Sequence, residues 1–123
     1  MKRAPTMSDP DPVVQAAEQK AAWMQRFDEL DRLPASDDAS EQTYRNLERI
    51  DLLDRATVLR GYISTLRATS LAGALAQLEE IDTLIDEEVS GDAATRLQRL
   101  VFSIRAVLAG RVPASILARI GAA

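Results

Sequence analysis

Apolar side chains recur every three to four residues through most of the chain, which is the spacing of an amphipathic α-helix. The first such segment runs over residues 13–33, and Pro34 ends it. The second begins after Asp38, which can form a capping box with Glu41, and extends to about Leu66. No segment shows the two-residue alternation of a β-strand. The pattern therefore predicts an all-α protein.

The second half of the chain predicts another pair of helices. Thr69-Ser70 provides N-cap residues for the first of them. Ser90-Gly91-Asp92 ends that helix and begins the next, which Gly110 ends. On these two helices the apolar residues expected to form the core are Leu71, Ala74, Leu75, Leu78, Ile81, Ile85, Val89, Leu97, Leu100, Val101, Ile104 and Leu108. Because the turns are short, we expect neighbouring helices to be antiparallel.

These elements predict a helical domain over residues 13–110, built from two antiparallel helical hairpins at residues 13–67 and 70–110. The four main helices are expected to form either a bundle or an elongated, coiled-coil-like pair. Residues 1–12 are rich in proline, aspartate and serine, so we expect a disordered lead-in there. For residues 111–123 we expect a short C-terminal amphipathic helical tail.

Histidine and cysteine are both absent from the 123 residues. Their absence excludes zinc sites built from imidazole or thiolate, cysteine nucleophiles, serine–histidine dyads, haem and iron–sulfur ligation, and disulfides. We therefore expect a protein that is not an enzyme and that holds no metal or other cofactor. No apolar run approaches the roughly 20 residues that span a bilayer, so no transmembrane segment is expected. The lack of cysteine also favours a reducing, cytoplasmic location.

Charge is distributed unevenly, although the formal net charge is only −4. All 19 acidic residues precede residue 93. Five basic residues follow it: Arg96, Arg99, Arg105, Arg111 and Arg119. In a hairpin of the last two long helices, Glu79 and Asp82 would lie level with Arg105 and could pair with it. Alternatively, segment 93–123 presents a basic surface to a polyanion. The acidic pI of about 4.8 disfavours a nucleic acid as the partner.

Three charged residues, Glu48, Asp51 and Arg55, interrupt the apolar pattern of the second helix. They fall on the same face as the apolar residues Tyr44, Leu47, Val58, Leu59 and Tyr62. Since Asp51 and Arg55 are four residues apart, they can form an ion pair along the helix. The three residues can instead bind a basic side chain of a partner. Paired carboxylates can also act as acid and base, provided that a pocket surrounds them.

Two aromatic residues lie at the margins of the helical stripes, Trp23 on the first helix and Phe102 on the fourth. One interpretation is that both side chains cover the seam between the two hairpins. The other is that they contact a protein partner together with Arg99, since aromatic and arginine side chains dominate binding energies at interfaces. A homodimer completed by helix packing is the simplest form of that arrangement.

The stretch from Thr65 to Gly73 contains a threonine-rich turn followed by Leu-Ala-Gly, and Asp9-Pro10-Asp11-Pro12 lies near the N-terminus. In both features the chain resembles a group of short, uncharacterised bacterial proteins that have an Asp-Pro segment, a helical hairpin, this turn and a final helical region. Members of that group often have a proline in the turn, where this chain has Leu66 and Arg67. The resemblance implies a bacterial, intracellular, all-helical protein and adds no activity.

The sequence thus predicts a small, non-catalytic protein–protein interaction module, such as an adaptor, regulator or assembly factor, whose partner is a second copy or another protein. The alternative is a polyanion-binding module, for nucleic acid or an acidic membrane surface, that uses segment 93–123. The candidate contact residues are Trp23, Glu48, Asp51, Arg55, Arg99 and Phe102.

Overall fold

The computed structural model describes residues 11–122, apart from the side chain of Ala93. Within this range the chain forms helices and no strand, so the predicted all-α class is confirmed. The helices are α1 (Pro12–Arg32), α2 (Ala39–Thr65), α3 (Leu71–Glu88), α4 (Gly91–Ala109) and α5 (Ala114–Arg119). Residues 1–10, where we expected a disordered lead-in, lie outside the described residues.

Short polar side chains begin two of the long helices where the sequence predicted. Asp38 caps α2 by accepting hydrogen bonds from two backbone N–H groups of its first turn. The capping box is only half formed, because the Glu41 carboxylate binds Arg45 and Ser36 and not the backbone of Asp38. At the start of α3, the Ser70 hydroxyl accepts a hydrogen bond from the backbone N–H of its third residue.

The contacts between the helices define how they are arranged. α1 and α2 lie against each other and are antiparallel, as the contacts of Arg55 with Trp23 and of Arg49 with Phe27 show. α3 packs on both α1 and α4, and α5 contacts α1. α3 is therefore the central helix, with the α1–α2 pair on one side and α4 on the other.

The main core lies where the start of α1, the end of α2 and the start of α3 meet. Val13, Ile63 and Leu75 are its most deeply buried large side chains. Val112 and Ile120, which flank α5, are buried in the same core. The segment predicted to be a short C-terminal helical tail therefore packs against this core. A smaller cluster, Leu78, Ile85, Ala94 and Val101, joins α3 to α4.

The sequence predicted the wrong inward face for α2. Leu52, Ala56 and Ile63 are the buried residues of this helix. The predicted stripe lies about a third of a turn away and is exposed, except for the half-buried Leu59: Tyr44, Leu47, Val58 and Tyr62. The predicted stripe carries Asp51 and Arg55 at its centre, and burying these charges would be costly, whereas the buried face is apolar.

The predicted stripes of α3 and α4 are correct only in part. Leu75 and Ile85 on α3 and Val101 on α4 are buried as expected. The larger predicted core residues Leu71, Ile81, Leu97, Leu100 and Ile104 are exposed. In place of these residues, small residues are buried where the helices meet: Ala72, Gly73, Ala76 and Ala94. Both helices therefore carry more apolar residues than their inward faces use.

Candidate interaction surfaces

Four of the six candidate residues are grouped on the α1–α2 pair. The Asp51 carboxylate forms an ion pair with Arg55 at 3.0 Å, as predicted from their spacing. The Arg55 guanidinium lies over the Trp23 ring, 6.0 Å from its centroid. Glu48 accepts two hydrogen bonds from Arg26 of α1, at 2.9 and 3.3 Å. Glu48 thus helps to join the two helices, whereas Asp51 and Arg55 face outward.

Asp51 and Arg55 lie at the centre of a longer exposed row, which we call the outer stripe of α2. It consists of Tyr44, Leu47, Asp51, Arg55, Val58 and Tyr62. Tyr44 and Val58 expose 70% and 75% of their surface, and Leu47 and Tyr62 more than half. The half-buried Trp23 borders this row through its contact with Arg55.

Arg99 and Phe102 lie on a different part of the molecule. Both are exposed on α4, and Phe102 borders a shallow cleft together with Leu75 and Arg105. Phe102 leaves 64% of its surface exposed, so it covers little of the seam between the hairpins. The structure therefore does not bring Arg99 and Phe102 together with the Trp23 and Asp51 group.

A second exposed row lies on α4, and the sequence analysis placed three of its four residues in the core. We call it the outer stripe of α4, and it consists of Leu97, Leu100, Ile104 and Val107. Each of these four residues exposes between 43% and 61% of its surface. Helical geometry places Phe102 on nearly the opposite side of the helix from Ile104. The available signal was the breadth of the apolar face of α4, which extends well beyond the inner side that Val101 and Leu108 define.

The arginine-rich segment is partly engaged inside the domain. Arg105 forms ion pairs with Glu79 at 2.5 Å and with Asp82 at 3.1 Å, which confirms the pairing predicted for these residues. Arg96 and Arg99 form no ion pair with residues 11–122 and are exposed. One of the five arginines therefore stabilises the α3–α4 contact and is not free to bind a polyanion.

The sequence analysis missed a buried carboxylate at the junction of three helices. Glu80 of α3 is buried and forms ion pairs with Lys20 of α1 and Arg60 of α2. Arg60 also reaches Glu87, at 3.3 Å. On the sequence Glu80 is one of several acidic residues, and only the packing of α3 distinguishes it. Its charge is compensated by two cations on two other helices, so it links all three.

A second buried carboxylate connects the two motifs on which the resemblance rested. Asp11 caps α1 by accepting a hydrogen bond from Val13 N–H, at 2.8 Å. Its other oxygen accepts hydrogen bonds from Thr69 N–H at 2.9 Å and from the Ser70 hydroxyl at 2.6 Å. Gly73 is required beside it, because a Cβ there would lie 2.8 Å from Asp11 Cγ. The Asp-Pro and Thr-Ser-Leu-Ala-Gly segments are therefore the two halves of one contact.

Burial and hydrogen bonding act in opposite directions on Asp11. Burial raises the pKa of its carboxyl group, but hydrogen bonds from Ser70, Val13 and Thr69 lower it by more. The pKa of Asp11 therefore lies below its ordinary value, and the ionised form is stabilised in the folded protein. Asp11 was placed in the expected disordered lead-in, yet it is buried and helix α1 begins directly after it.

A cleft of about 400 Å³ lies between α1, α3 and the C-terminal segment. Its polar walls include Lys20, Glu79 and Glu80, which form the ion pairs described above. Among residues 11–122 there is no group of three or more acidic side chains placed to hold a metal ion. In the same part of the chain, no helix is both long enough and apolar enough to cross a membrane.

Comparison of the chain with protein-family models, with curated proteins and with solved structures finds no match. The surfaces themselves are therefore the basis for any functional conclusion. They define a helical protein in which ion pairs join neighbouring helices, while a mixed row on α2 and an aliphatic row on α4 face outward.

Proposed function

We propose that the protein is a non-catalytic protein–protein interaction module, an adaptor, regulator or assembly factor, whose partner docks on the outer stripe of α4. The observation that carries this proposal is the stripe itself, four exposed aliphatic side chains uninterrupted by charge. Contiguous exposed apolar patches mark binding surfaces on folded proteins. The proposal includes a frame of two helical hairpins, α1–α2 and α3–α4, and a cytoplasmic location, which the lack of cysteine supports.

The spacing of the stripe indicates what kind of partner fits it. Its residues follow one another at intervals of three, four and three, which is the spacing of a coiled-coil seam. A helix with a matching apolar face can lie along such a seam. Arg96 and Arg111 are exposed near its two ends, and no acidic residue follows Asp92. The partner is therefore an amphipathic helix whose apolar seam is flanked by acidic residues.

The experiment compares three tagged forms of the protein in extract of its native cells at moderate salt. The wild type and the variant Thr95→Glu, which changes an exposed polar residue on the far side of the same helix, should retain the same stoichiometric protein. The double variant Leu100→Glu/Ile104→Glu should lose it, with capture reduced at least about tenfold because two charges enter the apolar seam. Circular dichroism of the purified forms checks that the helix content is unchanged.

Two results would contradict the proposal. Capture of the same proteins by all three forms would show that the outer stripe of α4 is not the docking surface. Recovery of the wild type with no protein partner would argue against an interaction module altogether.

Exposed arginines support the polyanion-binding alternative as a second proposal. Arg96, Arg99 and Arg111 are exposed and form no ion pair with residues 11–122. Binding through them requires a strong dependence on salt, because counterions are released from the polyanion. A mobility shift of labelled DNA that appears at low salt and disappears at 200 mM salt would support this alternative. No shift at low salt would exclude a nucleic acid.

A further inference from the structure

The outer stripe of α2 has nearly the same order of residue types in both directions. It has a tyrosine at each end, Tyr44 and Tyr62, and an aliphatic residue inside each tyrosine. At its centre lies one acid and one base, Asp51 and Arg55. The two tyrosines and the two charged residues share one midpoint, which is the level of residue 53. An order of this kind is complementary to itself when it is reversed.

We propose that a second copy of this chain docks on the outer stripe of α2, with the two α2 helices antiparallel about a two-fold axis at the level of residue 53. Tyr44 of each copy then lies opposite Tyr62 of the other. Leu47 lies opposite Val58 with an axial offset of roughly 1.5 Å, the rise of one residue. Asp51 lies opposite Arg55. Each contact occurs twice, as two-fold symmetry requires.

Charge decides between the possible orientations of the two helices. In the antiparallel arrangement both copies of Asp51 face an Arg55, so four alternating charges surround the axis. In a parallel arrangement in register, Asp51 would face Asp51 and Arg55 would face Arg55. Like charges placed opposite each other at an interface oppose association. The intrahelical ion pair already holds both side chains on the outer face in the required order.

The size of the stripe indicates a reversible dimer. Tyr44 and Tyr62 are 18 positions apart, so the row is roughly 27 Å long. Trp23 adds aromatic surface at its margin through the contact with Arg55. One helix face of this length gives a small interface, of the size found in weak and transient complexes, and we expect a dimer that dissociates at micromolar concentrations. This surface and this occupant differ from those of the proposed function, which concerns the outer stripe of α4.

The first test exchanges the charges at the centre of the stripe. Self-association is then measured by sedimentation equilibrium over 5–500 μM protein. The wild type should be a monomer–dimer mixture, and Asp51→Arg should weaken the dimer at least about tenfold, because Arg55 then faces another arginine. The double variant Asp51→Arg/Arg55→Asp restores opposite charges across the axis and should restore most of the affinity. A monomeric wild type at 500 μM, or equal association of wild type and Asp51→Arg, would overturn the proposal.

The second test reports the orientation directly and uses the absence of cysteine from the chain. Under mild oxidation, Tyr44→Cys/Tyr62→Cys should form a disulfide-linked dimer. The two cysteines of one copy are roughly 27 Å apart along the helix and cannot bond to each other, since a disulfide needs Cα atoms within about 7 Å. Each single variant should give little dimer, whereas a mixture of the two should give it readily. Efficient dimer formation by Tyr44→Cys alone would contradict the antiparallel arrangement.

The two proposals can fail independently. Asp51→Arg should still capture the partner that docks on α4, and Leu100→Glu/Ile104→Glu should still dimerise with wild-type affinity. Loss of the dimer in the second of these variants would place the self-association on α4 and overturn its assignment to α2.

Discussion

The start of α1 and the outer side of α4 use their residues in opposite ways. Around Asp11, a charged carboxylate is buried and satisfied by three donors, and small residues such as Gly73 leave room for it. On α4, aliphatic residues such as Leu100 remain exposed. Burial in this protein therefore depends on how closely the helices approach as well as on the hydrophobicity of each residue. The first region contributes to the fold, and the second is the surface on which we propose that a partner docks.

The largest expected effect concerns the contact between Gly73 and Asp11. Gly73→Ala would place a Cβ 2.8 Å from Asp11 Cγ, so the carboxylate must move away from its donors. We expect the free energy of unfolding to fall by about 2–4 kcal/mol in equilibrium urea titrations.

Gly61→Ala is the matched control for this substitution. It also changes a helical glycine to alanine, but no atom lies within 4 Å of the new Cβ. It should stabilise the protein by about 0.5–1 kcal/mol, because alanine has the higher helix propensity. Equal stability of the Gly73→Ala and Gly61→Ala proteins would contradict the account of the Asp11 contact.

Glu80 and Asp51 allow a buried carboxylate to be compared with an exposed one. Glu80→Gln leaves Lys20 without a charged partner and Arg60 with Glu87 alone, and we expect a loss of about 1–2 kcal/mol in the free energy of unfolding. Asp51→Asn breaks a pair in which both side chains are more than half exposed, and should cost at most about 0.5 kcal/mol. Equal losses for the two variants would remove the distinction between them.

A smaller effect should appear in the pH dependence of stability. The pKa of Asp11 is lower in the folded protein, so its ionisation stabilises the fold above the unfolded pKa of about 3.9. That stabilisation is lost as the pH falls through the folded pKa. Asp11→Asn should therefore be less stable than the wild type by about 1 kcal/mol at pH 6, and the difference should shrink at pH 3. A difference that is the same at both pH values would contradict this assignment.

The elements of the fold were predictable because their signals are local. Pro34, Asp38 and Ser70 mark helix ends by backbone chemistry that acts within one turn. The inward direction of each helix was not predictable in the same way, since α2 carries apolar residues on two sides and the apolar face of α4 is broader than the part that is buried. Which side turns inward depends on contacts with the other helices, which no single-helix pattern encodes.

The candidate sites also differ in whether local sequence spacing could predict them. The Asp51–Arg55 pair could be predicted because the two residues are one helical turn apart. The contacts of Asp11 with Thr69 and of Glu80 with Lys20 join residues about 60 positions apart, and nothing in their spacing connects them. The outer stripe of α4 was mistaken for core because it has the spacing of a core stripe.

The central claim is that the outer stripe of α4 contributes to binding and not to the fold. The most direct test is the free energy of unfolding of the variant Leu97→Gln/Leu100→Gln/Ile104→Gln/Val107→Gln. Glutamine has a helix propensity close to that of the residues it replaces. The account predicts a helical protein whose stability lies within about 2 kcal/mol of the wild type, since each surface substitution usually changes it by no more than about 0.5 kcal/mol. A loss of about 4 kcal/mol or more would show that these side chains belong to the core and would contradict the claim.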